Sequence, residues 1–477
     1  MSNKNIIIDI INQKKELEKI AVYDGSNRYS YKKLYYYTES LVARLYSLNI
    51  NIKCVILFLP NSFQFIISYF AVQGIAATVV PMDYFCTCYE IEESYLYCQA
   101  DLILTDIEGA QKIQNLDVNY YILDNGKFIK KNKYVFNDLG KYNVVYRTSG
   151  STNLPKFVGF ENKAIFSNIK ANVASLDFCM NDKTLVLLSM AFSYCMHAQV
   201  LSILYVGGTL VIGKSRILTT TEFYRTILMD KITCLMVSPN LILEYIKRDA
   251  KHSVSSLTKV CIGSDYISED SRRKVQYHFS NATIYITYGL TEAGPRVSTL
   301  KYNMNKSLPN SVGFPIDNVE VGIYGDGCIV TNEDFVKGEI ILKSASVMAG
   351  YIYNDKLTNK VIQKGWLKTG DFGYLHNKEL FIEGRIKNIV KINGNLIHPE
   401  EIEECILKNK KIMDCIVFEE DNLLVADIVS DKNIFHEEIY NHCKKYLSTY
   451  KIPKKFNLVN EIKHTKNGKK NRSKYYG

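Results

Sequence analysis

At 477 residues the chain exceeds the usual extent of one hydrophobic core, so a large and a small domain are expected. Hydrophobic residues at 47% and charged residues at 23% are ordinary for a globular chain and exclude extended disorder. A formal charge of +10 admits nucleotides, coenzyme A, acidic carrier proteins or nucleic acid as partners; no nucleic-acid motif occurs and the 35 tyrosines form no stacking platform, so nucleic acid is excluded.

The chain opens MSNKNIIIDIINQKKELEK, whose apolar run is too short for a signal peptide, so a cytoplasmic protein is expected. The most apolar stretch, Phe65 to Pro81, is shorter than a bilayer span and carries Gln73 and Gly74; it reads as a buried helix leading into a strand, not a membrane span. Twelve scattered cysteines, with Cys86 and Cys88 the only close pair, support neither a zinc site nor a disulfide framework.

From Lys53 short apolar runs alternate with helical patterns: KCVILFLP, a helix over Phe65 to Gly74, ATVVPMD, YEIEESYLYCQ and ADLILTD. A second series runs KTLVLLS, a helix over Met196 to Tyr205, GGTLVI, a helix over Thr220 to Met229, TCLMVSP, KVCIGSD and ATIYITYG. This rhythm predicts an α/β fold of layered, mostly parallel sheets, with ligands gathering at strand ends. After Ser311 shorter pieces, VEVGIYGDGCIV and GEIILKSA, predict a β-rich subdomain. After Gly384 comes a compact α+β unit with helices over Pro399 to Leu407 and Phe435 to Leu447 and paired strands in MDCIVFEEDNLLVADIVS. The expected division is a core of residues 1–386 and a small mobile domain of residues 387–477.

Candidate chemistry begins at YRTSGSTNLPKFV, where Thr148, Ser149, Gly150, Ser151 and Thr152 form a loop whose amides and hydroxyls can wrap phosphate oxygens, with Lys156 adding a cation. Its spacing is not that of the GxxxxGK[ST] loop. Downstream, in order, stand YGLTE at 288–292, GWLKTGDFGYL at 365–375, GRIKNIVKINGNLIHPEEIE at 384–403 and HTKNGKKNR at 464–472. This ordered series resembles the adenylate-forming superfamily of acyl-CoA synthetases, nonribosomal-peptide adenylation domains and luciferases, over nearly the whole chain.

The resemblance implies an ATP- and Mg²⁺-dependent enzyme that joins a small carboxylic acid to AMP and then passes the acyl group to the thiol of coenzyme A or of an acidic carrier protein's phosphopantetheine. It places Tyr288 near the adenine, with Gly289 beside it in the motif, Thr291 on the α-phosphate, and Glu292 on Mg²⁺, a hard cation suited to carboxylate and phosphate oxygens. Asp371, assisted by Arg385, would take the ribose hydroxyls through charge-assisted bonds. Gly263 and Ser264 fall on the strand laid against adenine and acyl group. Lys469 is the tail lysine that reaches the α-phosphate, Lys387 the hinge, and Gly394 belongs to the loop along which the thiol enters. Little acid or base catalysis is needed, because the carboxylate is already ionised and pyrophosphate leaves readily; charge stabilisation is the main task.

The sequence departs from the family pattern at Asn153 and Phe157, where glycine is usual, and at Lys463 and His464, where Pro-Lys is common. In the acid pocket, Phe192, Ser193 and Tyr194 stand where amino-acid-activating members place an Asp, and Ser189 to Gln199 has no acidic residue, so a neutral aryl or aliphatic acid is expected rather than an α-amino acid. The alternatives are an amide-forming adenylating enzyme and a paralogue that binds nucleotide or acid without turnover, the latter motivated by Asn153 and Phe157.

Overall fold

The computed structural model describes residues 6–131, 139–148, 155–213, 218–247, 254–325, 327–331, 333–392, 395–397, 399–421, 423–430, 434–464, 470, 472 and 475, with backbone alone at 391, 395 and 396; all counts refer to these. Cys54–Phe58, Thr78–Pro81 and Leu102–Thr105 are buried along their whole length. Strands covered on both faces need continuous apolar runs, and these three have them. They pair in parallel at the centre of an eight-stranded sheet, whose edges, Lys127–Ile129 on one side and Lys156–Phe160 with Gly350–Tyr351 on the other, are antiparallel.

A nine-stranded sheet has Lys183–Val186, Thr209–Ile212, Cys234–Val237, Lys259–Ile262 and Thr283–Tyr288 as its parallel centre and Ser298–Tyr302 returning antiparallel. The helix Thr220–Met229 begins and ends where its pattern predicts, because Thr219 and Glu222 form a capping box at its start. The β-rich subdomain is a six-stranded antiparallel sheet. The last unit packs Pro399–Leu407 and His436–Lys444 on the sheet Ile412–Glu420, Leu423–Ser430, Lys455–Leu458 around its own apolar cluster.

Two expectations need correction. No element was foreseen before Lys53, yet Ile20–Asp24 and Asn27–Ser30 form a hairpin followed by the helix Tyr31–Ser47. Ile20–Asp24 joins Thr209–Ile212 in parallel and so completes the nine-stranded sheet, a pairing no local pattern reveals. The helix expected over Met196 to Tyr205 is a π-helical stretch, Met196–Leu201, followed by one α turn, Ser202–Tyr205. Such wide turns recur where a helix must re-aim side chains at a site.

Candidate active site

The parallel strands Lys259–Ile262 and Thr283–Tyr288 end side by side, with Ile262 opposite Ile286, so Gly263, Ser264 and Tyr288 gather at their carboxyl ends. Thr287 Oγ1 donates to the Ile262 carbonyl at 2.9 Å and fastens the two ends. Ser264 adopts φ +73°, a left-handed conformation that costs a non-glycine residue on the order of 1 kcal/mol and is typical of functional turns. Beyond Tyr288 the chain folds back so tightly that a Cβ at Gly289 would lie 1.7 Å from the Pro295 carbonyl oxygen, so only glycine fits.

Asp371 and Arg385 face each other across the paired strands Trp366–His376 and Glu379–Arg385. Arg385 Nε meets Asp371 Oδ1 at 2.7 Å, and the Tyr288 hydroxyl donates to Oδ2 at 2.5 Å. Burial first, then the Asp371 charge, pushes the Tyr288 phenol well up, so it stays a donor. Three residues from three motifs thus meet at one buried carboxylate.

Thr148 and Lys156 face each other in the antiparallel pair Val144–Thr148 and Lys156–Phe160, with Thr148 Oγ1 donating to the Lys156 carbonyl at 3.3 Å. Ser149, Gly150, Ser151, Thr152 and Asn153 lie outside the described residues. Phe157 is 1% exposed and stacks on Tyr97 at 4.5 Å, so the bulk that stands in place of glycine points into the core. Lys156 Nζ stands 5.5 Å from the Tyr351 ring centroid, and the Tyr351 hydroxyl donates to Glu292 Oε1 at 2.8 Å. Tyr351 was not foreseen; its signal, GY after a strand-like run, is too short to notice alone.

Among the described residues no three His, Cys, Asp or Glu groups converge as a metal cage. Magnesium is normally held by one or two carboxylates together with substrate phosphates, and the partly exposed Glu292, tethered through Oε1 beside Lys156, suits that donor set.

The residues expected to form the acid pocket lie on and beside the Ser193–Cys195 turn, which the π stretch follows. Ser193 Oγ lies 3.4 Å from Thr291 Oγ1, which brings that turn to the YGLTE motif. One turn on, buried His197 donates from Nδ1 to the Gly294 carbonyl at 3.2 Å and accepts at Nε2 from the Tyr146 hydroxyl at 2.9 Å. The carbonyl fixes the tautomer, and burial pushes the imidazole down to about 4, so the ring is neutral at neutral pH. Phe192 and Tyr194 are partly buried there, and the Arg296 guanidinium stands 5.3 Å from the Tyr194 ring centroid. His197 and Arg296 were also missed, one hidden in an apolar helix pattern, the other just past the motif.

Lys387 is exposed in the short turn Ile386–Asn388 that follows Arg385. Gly394 and Lys469 lie outside the described residues. On the two sides of residues 465–469, His464 and Lys470 form an antiparallel bridge. Lys470 Nζ meets Glu403 Oε2 at 2.9 Å and Arg472 grips both oxygens of the same carboxylate at 2.8 Å, so these two residues are anchored on the helix Pro399–Leu407. The Tyr266 hydroxyl donates to Glu404 Oε2 of that helix at 2.7 Å. No helix among the described residues is long and apolar enough to cross a membrane.

Residues 11–352 match the family model described as AMP-binding enzyme, and residues 401–469 match the AMP-binding enzyme C-terminal domain. A 4-coumarate-CoA ligase of Narcissus pseudonarcissus is 25% identical over 454 residues, 87% of this chain and 82% of that protein. A 2-succinylbenzoate–CoA ligase of Bacillus pumilus is 27% identical over 335 residues, 68% of this chain and 66% of that protein. In fold, the chain resembles o-succinylbenzoate coenzyme A synthetase of Bacillus subtilis solved with ATP and magnesium, with TM-score 0.87, 20% identity and 98% of each chain covered. It also resembles the anthranilate CoA ligase AuaEII solved with anthranoyl-AMP, with TM-score 0.85, 18% identity and coverage of 98% of this chain and 96% of the other.

Proposed function

This chain belongs to the AMP-binding enzyme family, and on that premise we propose how its residues perform the activation of an acid. It is an AMP-forming acid–thiol ligase that uses ATP and magnesium. In the first step the substrate carboxylate attacks the α-phosphorus and pyrophosphate leaves; in the second a thiol attacks the acyl carbon, AMP leaves, and the thiol proton passes to solvent. The acid is aryl or aliphatic, and its natural acceptor is coenzyme A, as the names of the relatives suggest; a carrier protein's phosphopantetheine is the competing acceptor. The cytoplasm, where ATP and coenzyme A are both abundant, is its proposed place.

One observation carries the reading. A single turn brings Thr291 to the acid-side Ser193 at 3.4 Å while its neighbour Glu292 meets Tyr351 beside Lys156, so acid and phosphate groups converge at adjacent residues. Thr291, Lys156 and the 148–152 loop would bind the phosphates, Tyr288, Gly263 and Ser264 the adenine, and Asp371 with Arg385 the ribose. Glu292 would hold magnesium, which supplies charge neutralisation of the pyrophosphate when bound. Lys469 would stabilise the α-phosphate during adenylation, rotation about Lys387 would exchange it for the Gly394 loop, and residues 1–386 and 387–477 would be the two moving bodies.

Phe157 no longer motivates a reading without turnover, since its ring is packed against Tyr97. The test is ATP–pyrophosphate exchange over a panel of aryl, aliphatic and amino acids, followed by thiol transfer to coenzyme A and to a carrier protein. At least one simple acid should support exchange, amino acids should be poor, and Glu292→Ala should cut exchange roughly a hundredfold. Full exchange in that variant, or an amino acid outperforming every simple acid, would refute the assignments of metal carboxylate and pocket respectively.

A further inference from the structure

Arg296 is 1% exposed, yet among the described residues no carboxylate lies within ion-pair distance of its guanidinium. Burying an unpaired cation costs several kcal/mol, so such a residue needs an explanation. The other fully buried arginine, Arg272, shows the ordinary solution: it donates to the carbonyls of Ile267 and Ser311 at 3.1 and 2.7 Å, with Glu269 and Glu404 close enough to act on its charge. Arg296 instead bonds, among the described residues, through Nε to the neutral Asn172 Oδ1 at 2.9 Å, and there its buried Nη2 meets no acceptor in hydrogen-bond geometry. A purely structural role accounts for Nε. It does not account for Nη2, and the bonds of Asn168 to the amide and carbonyl of residue 296 need no arginine side chain.

The unpartnered atom has a companion. The Tyr194 hydroxyl, also buried, with the Thr287 hydroxyl and Arg296 itself as the polar groups that act on it, belongs to the ring that Arg296 faces at 5.3 Å, and it lies 2.9 Å from where a Cβ of Gly263 would stand. Ser193, next in the chain, touches Thr291, so the pair sits beside the place where the acid is activated. Burial pushes the Tyr194 phenol up, which keeps it a donor. Beyond these neutral hydroxyls the guanidinium meets no acceptor of opposite charge among the described residues, and an oxyanion would supply one.

We propose that Arg296 makes this enzyme select an acid that carries a second anionic group, a dicarboxylic acid activated at one end while its far carboxylate is bound by Arg296 and the Tyr194 hydroxyl. This rests on the acid-activating reading above and narrows its substrate class. The reacting carboxylate stays with Thr291, and an α-ammonium is rejected by the buried positive charge.

The experiment compares succinic, glutaric, adipic and benzenedicarboxylic acids with their monomethyl esters, the same shapes without the second charge, in pyrophosphate exchange. For at least one pair the wild type should favour the diacid about a hundredfold in kcat/KM, as expected when a site built around a charged contact meets an analogue that lacks it. Arg296→Met should bring the ratio to about one or invert it, and Arg296→Lys should keep part of it. Thermal melting in the presence of MgATP gives a second readout: the diacid should raise the melting temperature of the wild type more than its ester does, and a cooperatively melting Arg296→Met should lose that difference. If neutral acids support exchange and no diacid is preferred, or if Arg296→Met keeps the preference, the inference is overturned and the ligase reading stands. If no acid of either kind supports exchange, the ligase reading fails and the inference with it. Should Arg296→Met not fold, the wild-type ratio and Arg296→Lys decide.

Discussion

Tyr351→Phe removes one oxygen atom and leaves the ring that Lys156 Nζ faces at 5.5 Å, so it isolates the bond to Glu292. A hydrogen bond to an ionised acceptor contributes roughly 1.5–3 kcal/mol. Glu292 is partly exposed, so water replaces part of that bond, and a loss of about 1.4 kcal/mol, or tenfold, is the expected size. Losing the donor also raises the charge density on the carboxylate, which strengthens its pull on a cation. That opposing effect is screened by water at a partly exposed site, whereas the freedom gained by an untethered carboxylate is not, so the loss of order should win. The assay is pyrophosphate exchange against free magnesium at saturating ATP and acid: the half-saturating concentration should rise about tenfold and the plateau should be recovered. A midpoint that stays put or falls, or a plateau that no magnesium concentration restores, would refute the tether. Tyr351→Leu, which removes the ring as well, should weaken ATP in addition.

Two further outcomes are expected. Lys469→Ala should lower adenylate formation by orders of magnitude while thiol transfer from a supplied acyl adenylate stays near normal, and Lys387→Pro should do the reverse by fixing φ at the hinge; equal loss of both steps in Lys469→Ala would sink the alternating movement. His197 is held neutral in the fold down to about pH 4 but takes a proton near 6.5 when unfolded, so its contribution is present above pH 6.5 and is lost as pH falls toward 4, by roughly 3 kcal/mol. Urea unfolding of wild type and His197→Gln from pH 7.5 to 4 checks this: the gap between the two should shrink by that amount, and parallel pH profiles would count against it.

The parallel strands were legible because burial on both faces leaves unbroken apolar runs such as VILF at 55–58, and Pro399–Leu407 was legible from a proline start and helical spacing. The motif residues were legible because they stand in fixed order, and the structure does bring Tyr288, Asp371 and Arg385 together. What the sequence hid was whatever depends on a distant partner. Tyr351 means nothing until its strand pairs with Lys156–Phe160. Phe157 reads as an intrusion on a phosphate loop until Tyr97, sixty residues earlier, is seen beneath it. Arg296 is one more basic residue in a chain with 59, and only its burial without a carboxylate sets it apart.

The hairpin Ile20–Asp24 and Asn27–Ser30 sets a schedule for assembly. Thr209 Oγ1 donates to the Ile20 carbonyl, Tyr31 to the Gly208 carbonyl and Lys19 to that of Gly207, contacts that bridge 189, 177 and 188 residues. During synthesis the hairpin therefore waits for Thr209–Ile212 to emerge, roughly 10–40 s at ordinary rates of elongation. Until then the edge bearing Ala21 and Val22, both 0% exposed in the finished fold, is open to any other nascent strand. The hairpin thus docks well after it is made, and the yield of active protein should depend on chaperone capacity and on translation speed between Ile20 and Ile212.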